Sequence, residues 1–170
     1  MKINRYIVVM LLGILLVGSL SCLLPGITKP TVGDVPQGWD LSNEEPYGTF
    51  EELDGTVWGL IEYTDTEDAN FVQIYYGDIP SELKGNETVQ DALIGRAIVE
   101  SKKFEPDETG IMIASGQIAG YTKMYDPDMD WYEMEIVFVL DSICIDIWTR
   151  YGATSEDEAQ AMSIINSISP

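Results

Sequence analysis

Carboxylates are the side chains with which this sequence could do chemistry. It has 29 Asp and Glu among 170 residues, against 9 Lys and Arg, and no histidine. Without imidazole, Ser-His and Cys-His nucleophiles and most zinc sites are excluded. No glycine-rich phosphate loop is present. Asp126-Pro-Asp128-Met-Asp130 alternates carboxylates as calcium loops do, and hard oxygen donors suit Ca²⁺. A regular loop counted from Asp126 would need Gly at 131 and Glu at 137, where Trp131 and Val137 stand. Asp126, Asp128 and Asp130 therefore form either an irregular cation site or a solvated turn. Asp65, Glu67 and Asp68 make a second acidic tip with the same two readings. Asp146 is different, a carboxylate between Ile145 and Ile147 and beside Trp148. With Glu133, Glu135 and Arg150 it could line a polar pocket, or form a solvent-facing stripe with one ion pair. Paired carboxylates could also serve a hydrolase, but that needs a cleft, which a domain of this size rarely builds. The expectation is a protein that is not an enzyme.

These side chains depend on a late hairpin for their placement. Residues 131–140 and 143–150 are β-rich and separated by Asp141-Ser142, the length of a tight turn. Opposing Leu140 to Ile143 puts Phe138/Ile145, Ile136/Ile147 and Met134/Thr149 on one face, which predicts a core. The other face then carries Val139/Cys144, Val137/Asp146, Glu135/Trp148 and the ion pair Glu133/Arg150. A one-residue slip would bury Glu133 and Glu135, so the parity is firmly set.

Around this hairpin, residues 56–63 and 71–76 predict another, apolar on nearly every residue and so covered on both faces. A loop-rich stretch is expected around Asn43-Glu-Glu-Pro46. Residues 110–115 and 117–125 predict two more strands about Gly116. A helix is expected from Asn86 to about Lys102, with Asn86 as N-cap, Lys102 and Lys103 at the other end, and Val89, Leu93 and Ala97 as its buried stripe. Asn86-Glu87-Thr88 is also a glycosylation sequon. Ser155-Glu-Asp-Glu158 reads as a capping box opening a last helix, with Ala159, Ala161, Met162, Ile165 and Ile168 apolar.

The N-terminus sets the location. Lys2 and Arg5 precede an uncharged apolar run from Tyr6 to Leu20, then Ser21 and Cys22. A basic region, a short apolar region and small residues make an export signal. Ser19-Leu20-Ser21-Cys22 resembles the lipobox of bacterial and archaeal lipoproteins, which implies lipidation of Cys22, although that motif prefers Leu where Ser19 stands. The alternative is an uncleaved anchor over residues 6–24, nearly long enough to span the hydrocarbon core as a helix. Either way the positive flank stays inside and the rest of the chain faces out. Residues 23–35 then read as a flexible tether and 36–170 as one acidic domain. Cys144, in an apolar run, reads as a buried small hydrophobe.

A net charge of -20 excludes nucleic acid as a partner, since such binding relies on Lys and Arg. The expected partners are the membrane, through the N-terminal anchor, and an unidentified protein. Pro36-x-Gly38-Trp39, early strands, a mid-chain helix, a long late hairpin and a final helix ending Ile165-Asn-Ser-Ile168 resemble the PsbP-like family of small exported proteins. The resemblance implies an α+β fold, an antiparallel sheet flanked by helices in an α/β/α sandwich, and no enzymatic activity as a rule. It carries no site residues over. The expected function is a membrane-tethered extracytoplasmic binding or accessory domain acting through protein contacts, with a Ca²⁺-binding surface module as the alternative.

Overall fold

The computed structural model describes residues 27–52, 55–66, 69–80, 83–84, 89–101 and 106–170. Cys22, the apolar run, Glu67, Asp68, Asn86, Lys102 and Lys103 lie outside them, and with them the anchor, the sequon and both expected ends of the mid-chain helix. Among the described residues, no helix is long and apolar enough to cross a membrane.

The chain alternates β1 (Thr31–Val32), β2 (Trp39–Glu51), β3 (Val57–Asp65) and β4 (Phe71–Gly77), then helix α1 (Val89–Ser101). It continues through β5 (Glu108–Ala114), β6 (Gln117–Asp126), β7 (Trp131–Leu140), β8 (Ile143–Gly152), helix α2 (Ser155–Asn166) and β9 (Ile168–Ser169). Seven strands form one antiparallel sheet in the order β2-β3-β4-β8-β7-β6-β5, while β1 and β9 pair separately. Among the described residues, strands take 55% and helices 18%, so the fold is β-rich. The α/β/α sandwich implied by the PsbP-like resemblance does not form. The two helices among the described residues, of 13 and 12 residues, are too short to layer both faces of a seven-stranded sheet.

The late hairpin has the expected register, from Leu140↔Ile143 to Glu133↔Arg150. Asp141 makes its turn possible by taking a φ of 55°, which Asp tolerates better than most residues. The even-numbered residues of β7 and the odd-numbered residues of β8 meet α2. Ile136, Phe138, Ile145 and Ile147 pack there with Ile164 and Ile165, all at 0% exposure. Ile164 is a core residue that the apolar pattern of the last helix does not single out. That helix is capped one residue earlier than expected, because Thr154, not Ser155, accepts from the Asp157 backbone N–H. The opposite face meets α1 through Leu93 and Ala97, against Val137 and Cys144.

The loop expected around Asn43–Pro46 is instead part of β2. Register shifts between Leu41 and Asn43, and between Glu45 and Phe50, let a charged, proline-containing segment run along a sheet edge. Pro46 lacks a donor there at little cost, since an edge strand bonds on one side only. Thr31 and Val32, inside the segment read as a tether, pair with Ser169 and Ile168.

Candidate functional site

The face beneath α1 carries acids where the face beneath α2 carries isoleucines. Gly120 lets α1 come down onto the sheet: a Cβ there would lie 2.7 Å from the backbone of Leu93 and Ile94. Farther along the helix the sheet presents Thr122, Glu133, Glu135 and Asp146, which do not pack as an apolar core. Between helix and sheet lies a cavity of ≈ 460 Å³, walled by aromatics from β2, β3, β4 and β8: Phe50, Trp58, Tyr75 and Trp148. Among the described residues, six acids line it: Glu51, Glu52, Glu100, Glu133, Glu135 and Asp146.

Arg96 of α1 ties the cavity together. It is 6% exposed, and its Nη2 lies 3.0 Å from Glu52, 3.1 Å from Glu100 and 3.9 Å from Asp146. Its guanidinium also stands 5.9 Å from the centre of the Trp58 ring. Burial works against the arginine charge, but Asp146, Glu100 and Glu52 outweigh it and hold the proton more firmly than usual. Lys123 also touches the cavity wall, yet its ammonium bonds to Glu158 at 2.8 Å beneath α2, over the Tyr132 and Tyr151 rings.

Asp146 is partly buried, its side chain 14% exposed. Its carboxyl is raised to about 7, chiefly by loss of solvent, with Arg96 opposing the rise and Glu100 and Glu52 adding to it. Glu133 is also raised, by burial first, with Arg150 and a hydrogen bond from Trp148 partly opposing the shift. Trp148 is 39% exposed and meets Phe71 edge-on at 5.2 Å. Trp58 is 3% exposed, and its indole N–H has no acceptor among the described residues.

Four of the five residues of the sequence-predicted ligand face therefore share one cavity: Glu133, Glu135, Asp146 and Trp148. Arg150 does not reach it. It stacks over Phe71 and Trp131, at 4.8 and 4.2 Å, and donates to the Ala69 carbonyl. Sequence reasoning misses Arg96, Glu52 and Trp58, which long-range folding brings in. The i,i+4 spacing of Arg96 and Glu100 was the available signal.

The acidic turn is hydrogen-bonded to its own backbone and to Tyr125. Asp126 accepts from the backbone N–H groups of Asp128 and Met129, and Asp130 accepts from the Tyr125 hydroxyl at 2.7 Å. Asp65 likewise accepts from Ala69 and from both nitrogens of Asn70. Among the described residues, no three acids or cysteines are grouped to hold a metal ion. Cys144 is fully buried.

Comparison with known proteins finds no family model, no curated protein and no solved structure that matches this chain.

Proposed function

We propose that this chain is a membrane-tethered extracytoplasmic binding domain that grips a positively charged side chain of a partner protein in the cavity beneath α1. The observation that carries this reading is the lining: four aromatic rings and, among the described residues, Glu51 and Glu133 beside the three acids that already match Arg96. A guanidinium or ammonium entering the cavity finds charge complementarity and the face of Trp148. A cation over a tryptophan contributes about 0.5–1 kcal/mol when exposed and about 2 when desolvated. Hydrogen bonds to charged groups contribute about 1.5–3 kcal/mol each. A few such contacts, less the ordering cost, place the Kd of a single basic side chain on the order of 1 mM.

The test is calorimetric titration of the full chain with N-acetyl-arginine amide and with its uncharged isostere N-acetyl-citrulline amide. The charged probe should bind, more weakly as salt is added. Glu133→Gln and Trp148→Ala should each weaken it several-fold. Equal heats from both probes would sink the reading.

The raised carboxyls of Glu133 and Asp146, in one cavity, favour a second reading, a carboxylate-based hydrolase. It ranks lower because Asp146 is engaged by Arg96, as a strut between helix and sheet would be.

A further inference from the structure

The register of four strands gathers the rings of the cavity on one face of the sheet. Phe50 of β2 pairs with Trp58 of β3, and Trp58 with Gly77 of β4. Gly77 has no side chain, so the Trp58 ring lies across it: a Cβ there would stand 2.8 Å from that ring. Two residues back along β4, Tyr75 pairs with Asp146 of β8, and Trp148 follows two residues on. Residues two apart on a strand share a face, so Phe50, Trp58, Tyr75 and Trp148 all point the same way.

These rings are held in place by their edges. Tyr75 donates through its hydroxyl to Gln73 at 3.3 Å, and Gln73 donates in turn to Glu62. The Trp148 indole N–H donates to Glu133, and Phe71 meets the same ring edge-on. Phe50 and Tyr75 stand 6.2 Å apart at 74°, two walls at nearly a right angle. Phe50 is 38% exposed, a large ring left at the opening beside Trp148. Arg96 already stands over Trp58, which leaves the faces of the other three to a ligand.

The acids are less available than the rings. Arg96 engages Glu52, Glu100 and Asp146, and Glu133 accepts from Trp148. A lysine ammonium taken out of water needs an acceptor for each of three N–H bonds, and a guanidinium for five. A trimethylated ammonium needs none. It keeps the full charge and is drawn to ring faces and to a negative field without directed partners.

We propose that the cation this cavity takes is a methylated ammonium, its methyl groups against Phe50, Tyr75 and Trp148 and the carboxylates supplying the field. The inference rests on the reading of the cavity as a cation site and names the cation. Its carrier is a methylated lysine of the partner protein. A free quaternary ammonium such as choline presents the same chemistry, and the experiment separates the two sources.

Calorimetric titration of the full chain compares N-acetyl-trimethyllysine amide, N-acetyl-lysine amide, choline and dimethylbutanol, the uncharged carbon isostere of choline. The trimethylated side chain should bind about tenfold tighter than N-acetyl-lysine amide or N-acetyl-arginine amide. Dimethylbutanol should give no heat beyond dilution. Phe50→Leu keeps an apolar side chain but removes the ring face. It should weaken the trimethylated probe several-fold and leave N-acetyl-lysine amide and the melting temperature nearly unchanged. Lysine or arginine amide binding as tightly as the trimethylated probe overturns the inference and leaves the basic side chain in the cavity. Dimethylbutanol binding as well as choline also overturns it, because charge then plays no part. Choline binding more tightly than the trimethylated side chain supports the methylated ammonium and overturns lysine as its carrier. No heat from any cation overturns the inference and the reading beneath it together.

Discussion

Asp146 decides how the cavity responds to pH. Its folded pKa, raised to about 7, lies well above its ordinary value of 3.8, so the folded state holds a proton that the unfolded state has released. The stability this contributes is complete below the ordinary value and is lost as pH rises through about 7. Asn is a near-isostere of the protonated form and does not titrate. Asp146→Asn should therefore match the wild type near pH 4 and exceed it increasingly up to neutrality. At about 1.4 kcal/mol per pH unit, the gap at pH 7 is on the order of 3 kcal/mol. Urea unfolding of both proteins across this range checks it, and parallel curves would show that Asp146 is ionised throughout. At this scale the sequence was informative only in part: a carboxylate between Ile145 and Ile147 read as the wall of a polar pocket or as one member of a solvent-facing stripe. It did not point to Arg96, which lies fifty residues earlier in the chain and meets Asp146 only through the packing of α1.

At the scale of elements, the site depends on how closely α1 sits on β6, and two glycines separate contact from propensity. At Gly120 a methyl group would meet helix backbone at 2.7 Å, so Gly120→Ala must push α1 off the sheet. The expected cost is about 1–3 kcal/mol, together with a weaker Arg96–Asp146 link. At Gly95, inside α1, an added Cβ meets nothing within 4 Å. Gly95→Ala should stabilise by about 0.5–1 kcal/mol through the helix preference of alanine. Thermal melts of the two variants should move in opposite directions. The β7–β8 register was legible because alternation admits only one parity that keeps Glu133 and Glu135 out of the core. The edge strand β2 was not, since bulges and Pro46 erase its alternation and edge pairing tolerates both. The last helix was legible in its placement but not in its cap, where Thr154 and Ser155 are chemically equivalent neighbours and only backbone geometry chooses.

For the whole molecule, the balance between strands and helices follows from which faces need cover. α2 closes a face built of isoleucines, whereas α1 covers a face part of which is acid. A charged surface does not call for a complete helical layer, and that is why an order of elements resembling a sandwich folds as a β-rich sheet with an open cavity. The four tryptophans report on the cavity: Trp58 and Trp148 line it, while Trp39 bonds to Gln160 at the α2 face and Trp131 stacks under Arg150. The most direct measurement is therefore the set of indole N–H resonances in a proton–nitrogen spectrum of the chain as N-acetyl-arginine amide is added. A cation held beneath α1 should shift the Trp58 and Trp148 signals and leave those of Trp39 and Trp131 in place. Unmoved Trp58 and Trp148 signals at concentrations well above 1 mM, or shifts confined to Trp131, would contradict the account.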